Sequence, residues 1–172
     1  MGNREGTPDA AARAPSGRDE RANETLRCVG IAPGGETSPF DRIHLPHAER
    51  RVRRAVLTLG SGDRVALDLP DAVTLRDRDR LVLEDGREVE VVAAAEPLLE
   101  VTAPDAAHLA ELAWHLGNRH AAARIEAARI LVAHDPVLAR MLEGLGATVR
   151  EVREAFEPLR GAYHSHDHGH AE

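Results

Sequence analysis

The feature that most constrains the fold is a change of apolar period at Pro97. Before it, short alternating apolar runs are broken by turn residues; after it, leucines recur at helical spacing. "RRAVLTL" runs into "GSGD", "RVALDL" into Pro70-Asp71, and "RLVL" into "EVEVV" across Asp85-Gly86, a dipeptide that favours a tight hairpin turn. Leu57 and Leu59 flank Thr58, and Leu67 and Leu69 flank Asp68, so each strand has one buried face. Residues 25–96 are predicted to form a small all-β domain.

Beyond Pro97, "LLEVTA" predicts a strand. "PDAAHLAELAWHLGN" predicts a helix with Leu109, Leu112, Ala113 and Leu116 on one face, ending at Gly117-Asn118. "AARIEAARILVAH" follows as two short strands or one bent hairpin. A second helix starts at the N-cap Asp135 with Pro136 in first position, presents Val137, Leu138, Met141, Leu142 and Leu145, and ends at Gly146. "ATVREVREAF" completes the order strand, helix, strand, strand, helix, strand. That order predicts a ferredoxin-like (βαββαβ) domain over 97–160 with both helices on one sheet face. The expected class is α+β: a disordered leader at 1–24, the N-terminal β domain at 25–96, the ferredoxin-like domain, and a flexible His-rich tail at 161–172.

Aromatic residues make up only 2% of the 172-residue chain, so its cores must be aliphatic. Every basic residue is Arg, and the net charge of −7 disfavours a general binder of nucleic-acid backbones. The single Cys28 excludes a disulfide framework or a multi-thiolate zinc knuckle within one chain and fits a reducing compartment. No apolar run approaches the roughly 20 residues of a membrane span, and no signal-peptide core is present. The expectation is a cytoplasmic protein with neither a membrane nor a nucleic-acid partner.

The tail "GAYHSHDHGHAE" places imidazoles at His164, His166, His168 and His170 around Asp167. Gly, Ser, His and Asp cannot build a core, so packing does not account for these rings. Neutral imidazole binds Ni, Cu and Zn well, and the alternating spacing lets several rings reach one ion. A purification tag is usually an uninterrupted run, whereas Ser165, Asp167 and Gly169 separate the rings here. The tail is read as a labile metal site, and the absence of thiolates argues against Cu(I).

The other histidines carry less. His134 precedes the second helix's cap, where the helix dipole favours a neutral, ligating ring, although a surface loop histidine is the plainer meaning. His108, Glu111 and His115 are read as a solvated helix flank, since they lack the H-E-x-x-H spacing of a hydrolytic zinc site. His44 and His47 are read as loop histidines. "ERRVRR" at Glu49 to Arg54 is read as a strand with arginines on its wet face. No P-loop, nucleophile elbow or C-x-x-C occurs, and no enzyme activity is expected.

Three segments carry a resemblance: "HLGNRH" at His115 to His120, "VLARMLEGLGA" at Val137 to Ala147, and "FEPLRGAY" at Phe156 to Tyr163, followed by the His-rich end. In this order they resemble the urease accessory proteins of the UreE nickel-metallochaperone family, and the likeness extends from about Leu26 to the tail. The resemblance implies a homodimeric cytoplasmic chaperone that carries Ni2+, with Zn2+ or Cu2+ as competitors, to apo-urease together with the other accessory proteins and their GTPase. It also implies an interface site where one histidine from each subunit meets, with the C-terminal histidines adding capacity.

One departure matters. The family's usual Asp-His-Val-Leu reads Asp135-Pro136-Val137-Leu138 here, so Pro136 stands at the expected ligand position. The ligand set expected instead is His134 with His164, His166, His168 and His170, and with Asp167 and His120 in subordinate places. His120 is read mainly as structural. The alternative is that the interface site is lost and the tail carries most of the binding. Two other functions stay open: metal storage or sensing without delivery, and a protein or nucleic-acid adaptor with an incidental tail. Imidazole ligation implies binding that weakens as pH falls through about 6.5, where protons compete for the same nitrogens.

Overall fold

A computed structural model describes residues 25–160. The leader and the His-rich tail lie outside the described residues. Six strands come first: β1 (Thr25–Ala32), β2 (Asp41–Leu45), β3 (Arg51–Thr58), β4 (Arg64–Thr74), β5 (Arg80–Leu83) and β6 (Glu88–Ala93). Then follow β7 (Ala95–Thr102), α1 (Ala106–Asn118), β8 (Ala123–Ile125), β9 (Ile130–Ala133), α2 (Pro136–Gly144) and β10 (Thr148–Ala155). The chain is α+β, with two helices and two sheets. No described helix is long and apolar enough to cross a membrane.

The first sheet runs β2-β6-β5-β1-β4-β3. Alternation drives one side chain in two inward, and Ile43, Val65, Leu67, Leu81, Leu83, Val89 and Val91 meet in one aliphatic core. The strands at the two ends of this order approach each other. Gly60, just past β3, donates its amide to the Arg42 carbonyl of β2 at 2.9 Å, and the Ser61 amide donates to Asp41 Oδ2 at 3.1 Å. A Cβ on Gly60 would stand 3.2 Å from Asp41 Oδ1 and 3.3 Å from the Arg42 carbonyl oxygen, tight contacts that a residue without a side chain avoids. The Asp85-Gly86 hairpin forms as expected, with Gly86 at φ +82°.

Pro70-Asp71 does not end a strand. β4 continues through it to Thr74, and the register against β3 slips there, from Arg54 opposite Asp68 to Val52 opposite Val73. The turn-favouring pair is taken up as a bulge, where proline's missing donor leaves no ladder bond broken.

The second sheet runs β10-β7-β9-β8 and is antiparallel throughout. Leu99 and Val101 of β7 and Ile130 and Val132 of β9 pack against Leu109, Leu112 and Leu116 of α1 and Leu142 of α2. Both helices therefore share this core. Val137, expected on the apolar face of α2, is 67% exposed; the stripe that packs is Leu138, Met141, Leu142 and Leu145. Asp135 caps α2 as expected, accepting from the amides of Val137 at 2.7 Å and Leu138 at 3.3 Å.

Both helices end in the same way. In α2 the amides of Gly146 and Ala147 turn back to the carbonyls of Glu143 and Leu142, with Gly146 at φ +84°. In α1 the amides of His120 and Ala121 bond the carbonyls of Gly117 and Leu116, and the left-handed position at φ +54° belongs to His120, not to Gly117 or Asn118. His108 is no solvated flank either. Its ring Nε2–H donates to the Leu145 carbonyl at 2.8 Å, joining the start of α1 to the end of α2.

The two sheets are joined on the face of the second that the helices leave free. Leu98, Leu131 and Phe156 are buried there, and His47 stacks edge-on against Phe156 with ring centroids 5.4 Å apart. His47 opens a short 3-10 turn (His47–Glu49), and its backbone amide donates to Glu96 Oε1 at 2.7 Å. Burial, with the nearby Arg50 guanidinium, pushes its imidazole pKa down. His44 lies exposed on β2, so neither residue is a plain loop histidine.

Arg50 corrects the reading of the basic run. It is 1% exposed, and its guanidinium donates to Glu157 Oε2 and to the Phe156 carbonyl. Its own carbonyl accepts from the Leu75 amide at 2.8 Å, anchoring it in the first sheet. Removing this side chain strips a buried carbonyl of its donor and leaves a void. We expect Arg50→Ala to lower unfolding free energy in urea by about 2–4 kcal/mol. Arg50→Lys should recover only part, because an ammonium cannot fork to both acceptors. A loss below about 0.5 kcal/mol, the level of an ordinary surface substitution, would contradict this role.

Candidate metal centre

Two of the ligand candidates read from sequence fall among the described residues, His134 and, in a subordinate place, His120, and the setting of His134 follows from the local fold. β9 ends at Ala133, Asp135 must turn its carboxylate onto the amides of α2, and His134 is the single residue between them. Its side chain is 35% exposed. The ring Nε2–H donates to Glu151 Oε1 of β10 at 3.0 Å, and Glu151 is itself 78% exposed. With Nε2 holding the proton, Nδ1 keeps its lone pair. A histidine with one nitrogen on a carboxylate and the other free is the usual state of a metal-ligating ring.

The neighbouring positions have other structural roles. Pro136 has no donor atom, and Asp135 Oδ1 is occupied in capping. His120 holds the end of α1 through its backbone, and His115 lies 3.9 Å from Glu111 on the outer side of that helix. The acidic residues of the helix-free face are committed elsewhere. Glu100, Glu126 and Glu154 all bind Arg129 at 2.7–2.8 Å, and the bond from Arg129 holds the Glu154 carboxyl below its ordinary range. Among the described residues no three His, Cys, Asp or Glu side chains form a group that could hold a metal ion. His164, His166, Asp167, His168 and His170 lie outside the described residues.

What is described is the point from which the tail departs. After β10 the chain crosses back to β8. Arg124 donates to the Ala155 carbonyl at 2.6 Å, and the Leu159 amide donates to the Ala123 carbonyl at 2.8 Å. Ala123 pairs with Val132, two residues before His134. Sequence reasoning missed two residues here, Glu151 and Arg50. Glu151 gives no local signal, since it meets His134 only through tertiary pairing. Arg50 did give one, because it shares strand parity with the buried Val52.

Comparison with known proteins agrees across the chain. The sequence model described as UreE urease accessory protein, N-terminal domain, matches residues 24–94, and that of the C-terminal domain matches residues 96–172. The urease accessory protein UreE of Rhizobium meliloti is 56% identical over 140 residues, covering 81% of this chain and 91% of that protein. Those of Mesorhizobium japonicum and Rhizobium rhizogenes are 54% identical over 140 residues and 52% over 147, covering 80% and 84% of this chain and 71% and 87% of theirs. The chain belongs to the UreE family of urease accessory proteins.

Proposed function

We propose that this protein is a nickel-binding metallochaperone that donates Ni2+ during assembly of the urease metallocentre, and is not itself an enzyme. The observation that carries the reading is the juxtaposition of His134, whose Nδ1 has no partner among the described residues, and the departure point of a tail bearing four imidazoles. Strands lie about 4.8 Å apart and rise about 3.3 Å per residue, so Leu159 is on the order of 10–12 Å from His134. An extended chain covers up to ~3.5 Å per residue, which brings His164 and every later ring within reach.

In this reading nickel is cargo, held by His134 with rings from His164, His166, His168 and His170, with Asp167 as an accessory oxygen donor. His120 is assigned to the helix terminus and not to the metal. Pro136 removes the usual interface ligand, and the tail compensates. Solvent-exposed imidazoles suit transfer, because an incoming ligand can replace one ring at a time. Zn2+ and Cu2+ would compete for the same nitrogens.

The protein acts as a cytoplasmic homodimer, with apo-urease and the other accessory proteins, including their GTPase, as partners. Residues 25–96 form the N-terminal β domain and 97–160 the metal-binding domain. The strand order of the second sheet, with its fourth strand beside the first and the third beside the second, supports a ferredoxin-like assignment. The adaptor reading is weakened because Arg50 is internal and Arg54 is paired with Asp68 at 2.9 Å.

Nickel titration of the full chain, of His134→Ala and of a version truncated after Tyr163 tests the ligand set. His134→Ala should lose roughly tenfold or more in the tightest class of sites, and truncation should lower the number of ions bound. Unchanged stoichiometry and affinity in His134→Ala would overturn the role given to His134. Delivery is separable from storage in cells: deleting the protein at limiting nickel should depress urease activation, which excess nickel restores. Full activation without it would favour storage or sensing.

A further inference from the structure

The β10–β7 ladder holds the backbone of Glu151, but among the described residues only His134 engages its carboxylate. Glu151 is 78% exposed, on an edge strand, and among the described residues its side chain is recorded in one hydrogen bond, to His134. That bond decides the chemistry of the ring. A neutral imidazole exists as two tautomers, and a carboxylate 3.0 Å from Nε2 can only accept, so it selects the form with the proton on Nε2. It also limits rotation of the ring between β9 and the cap of α2. Resting on the reading of His134 as a nickel ligand, we propose that Glu151 is a positioning residue for that site: it fixes the Nε2–H tautomer and presents Nδ1 to a divalent late transition-metal ion.

The geometry favours this over a merely structural ion pair. An exposed pair contributes little to stability, and the helix end beside His134 is already satisfied by Asp135 without either group. A carboxylate on the distal nitrogen also raises the basicity of the ligating one, and losing such a partner typically costs 10–100-fold in metal affinity. Because Glu151 lies on β10 and His134 after β9, the ring is oriented by the same sheet that fixes the tail's departure point. Nickel would therefore meet Nδ1 close to the main chain, on the side of the ring away from Glu151.

The test uses the full chain with 15N-labelled histidine at about pH 8.5, where imidazole is neutral. The His134 signals are assigned by their loss in His134→Ala. In the native chain His134 should show a dominant Nε2–H tautomer. Glu151→Ala should shift it towards a mixture and weaken the tightest nickel class by tenfold or more, with circular dichroism unchanged. Glu151→Gln, whose amide can donate to the ring as well as accept from it, should hold the tautomer less strictly than the carboxylate does. The double variant His134→Ala/Glu151→Ala should bind no more weakly than His134→Ala alone.

An unchanged tautomer and affinity in Glu151→Ala, with His134→Ala still impaired, would overturn the role of Glu151 and leave His134 a ligand. Unchanged affinity in His134→Ala would overturn the ligand reading and this proposal with it.

Discussion

Arg50 sets the frame within which the rest of the molecule is arranged. A guanidinium buried to 1% exposure must have acceptors, and it finds them on Phe156 and Glu157, immediately after the last strand. That choice seats Phe156 over the helix-free face of the second sheet, with the ring of His47 against it. It also fixes where the chain goes next. From Phe156 the backbone crosses to β8, where Leu159 bonds Ala123, and it is from here that the His-rich end departs. The point from which the His-rich end departs is thus tied to a buried charge anchored in the other sheet.

The same economy governs the candidate metal site. The first turn of α2 needs acceptors for its free amides, and Asp135 supplies them. Proline then suits the first helical position, which costs the chain the side chain expected there as a ligand. His134 is the nearest imidazole on the other side of the cap, and Glu151 of β10, reaching across β7, holds its distal nitrogen. A site made from one oriented ring and several tail rings would load readily and release stepwise. A transfer protein needs both properties, whereas a closed structural site has neither.

Much of this was legible before any coordinates. The Asp85-Gly86 hairpin, the Asp135 cap, the Gly146 terminus and the order of elements after Pro97 all depend on neighbouring residues, and local signals carried them. What escaped depends on distant partners. The arginines of "ERRVRR" look alike in sequence, and only pairing with residues 156–157 distinguishes Arg50, although its parity with Val52 pointed inward. The left-handed turn fell to His120 because the helix keeps Gly117 and Asn118, the residues best suited to it, within its last turn. Pro70-Asp71 spoke for a turn, but pairing on both sides absorbed it as a bulge. In the site, the imidazoles and the displaced ligand at Pro136 were visible in sequence, whereas Glu151 was not, since β7 and more than ten residues of chain separate it from His134.

The central claim is that nickel is shared between His134 and the terminal imidazoles. The most direct measurement is a crystal structure of the nickel-loaded full chain, supported by X-ray absorption of the same sample. The expected result is nickel bonded to His134 Nδ1, with rings from His164 to His170 completing its coordination and Glu151 still on Nε2. Nickel bound by tail histidines alone, with Nδ1 of His134 unliganded, would contradict it.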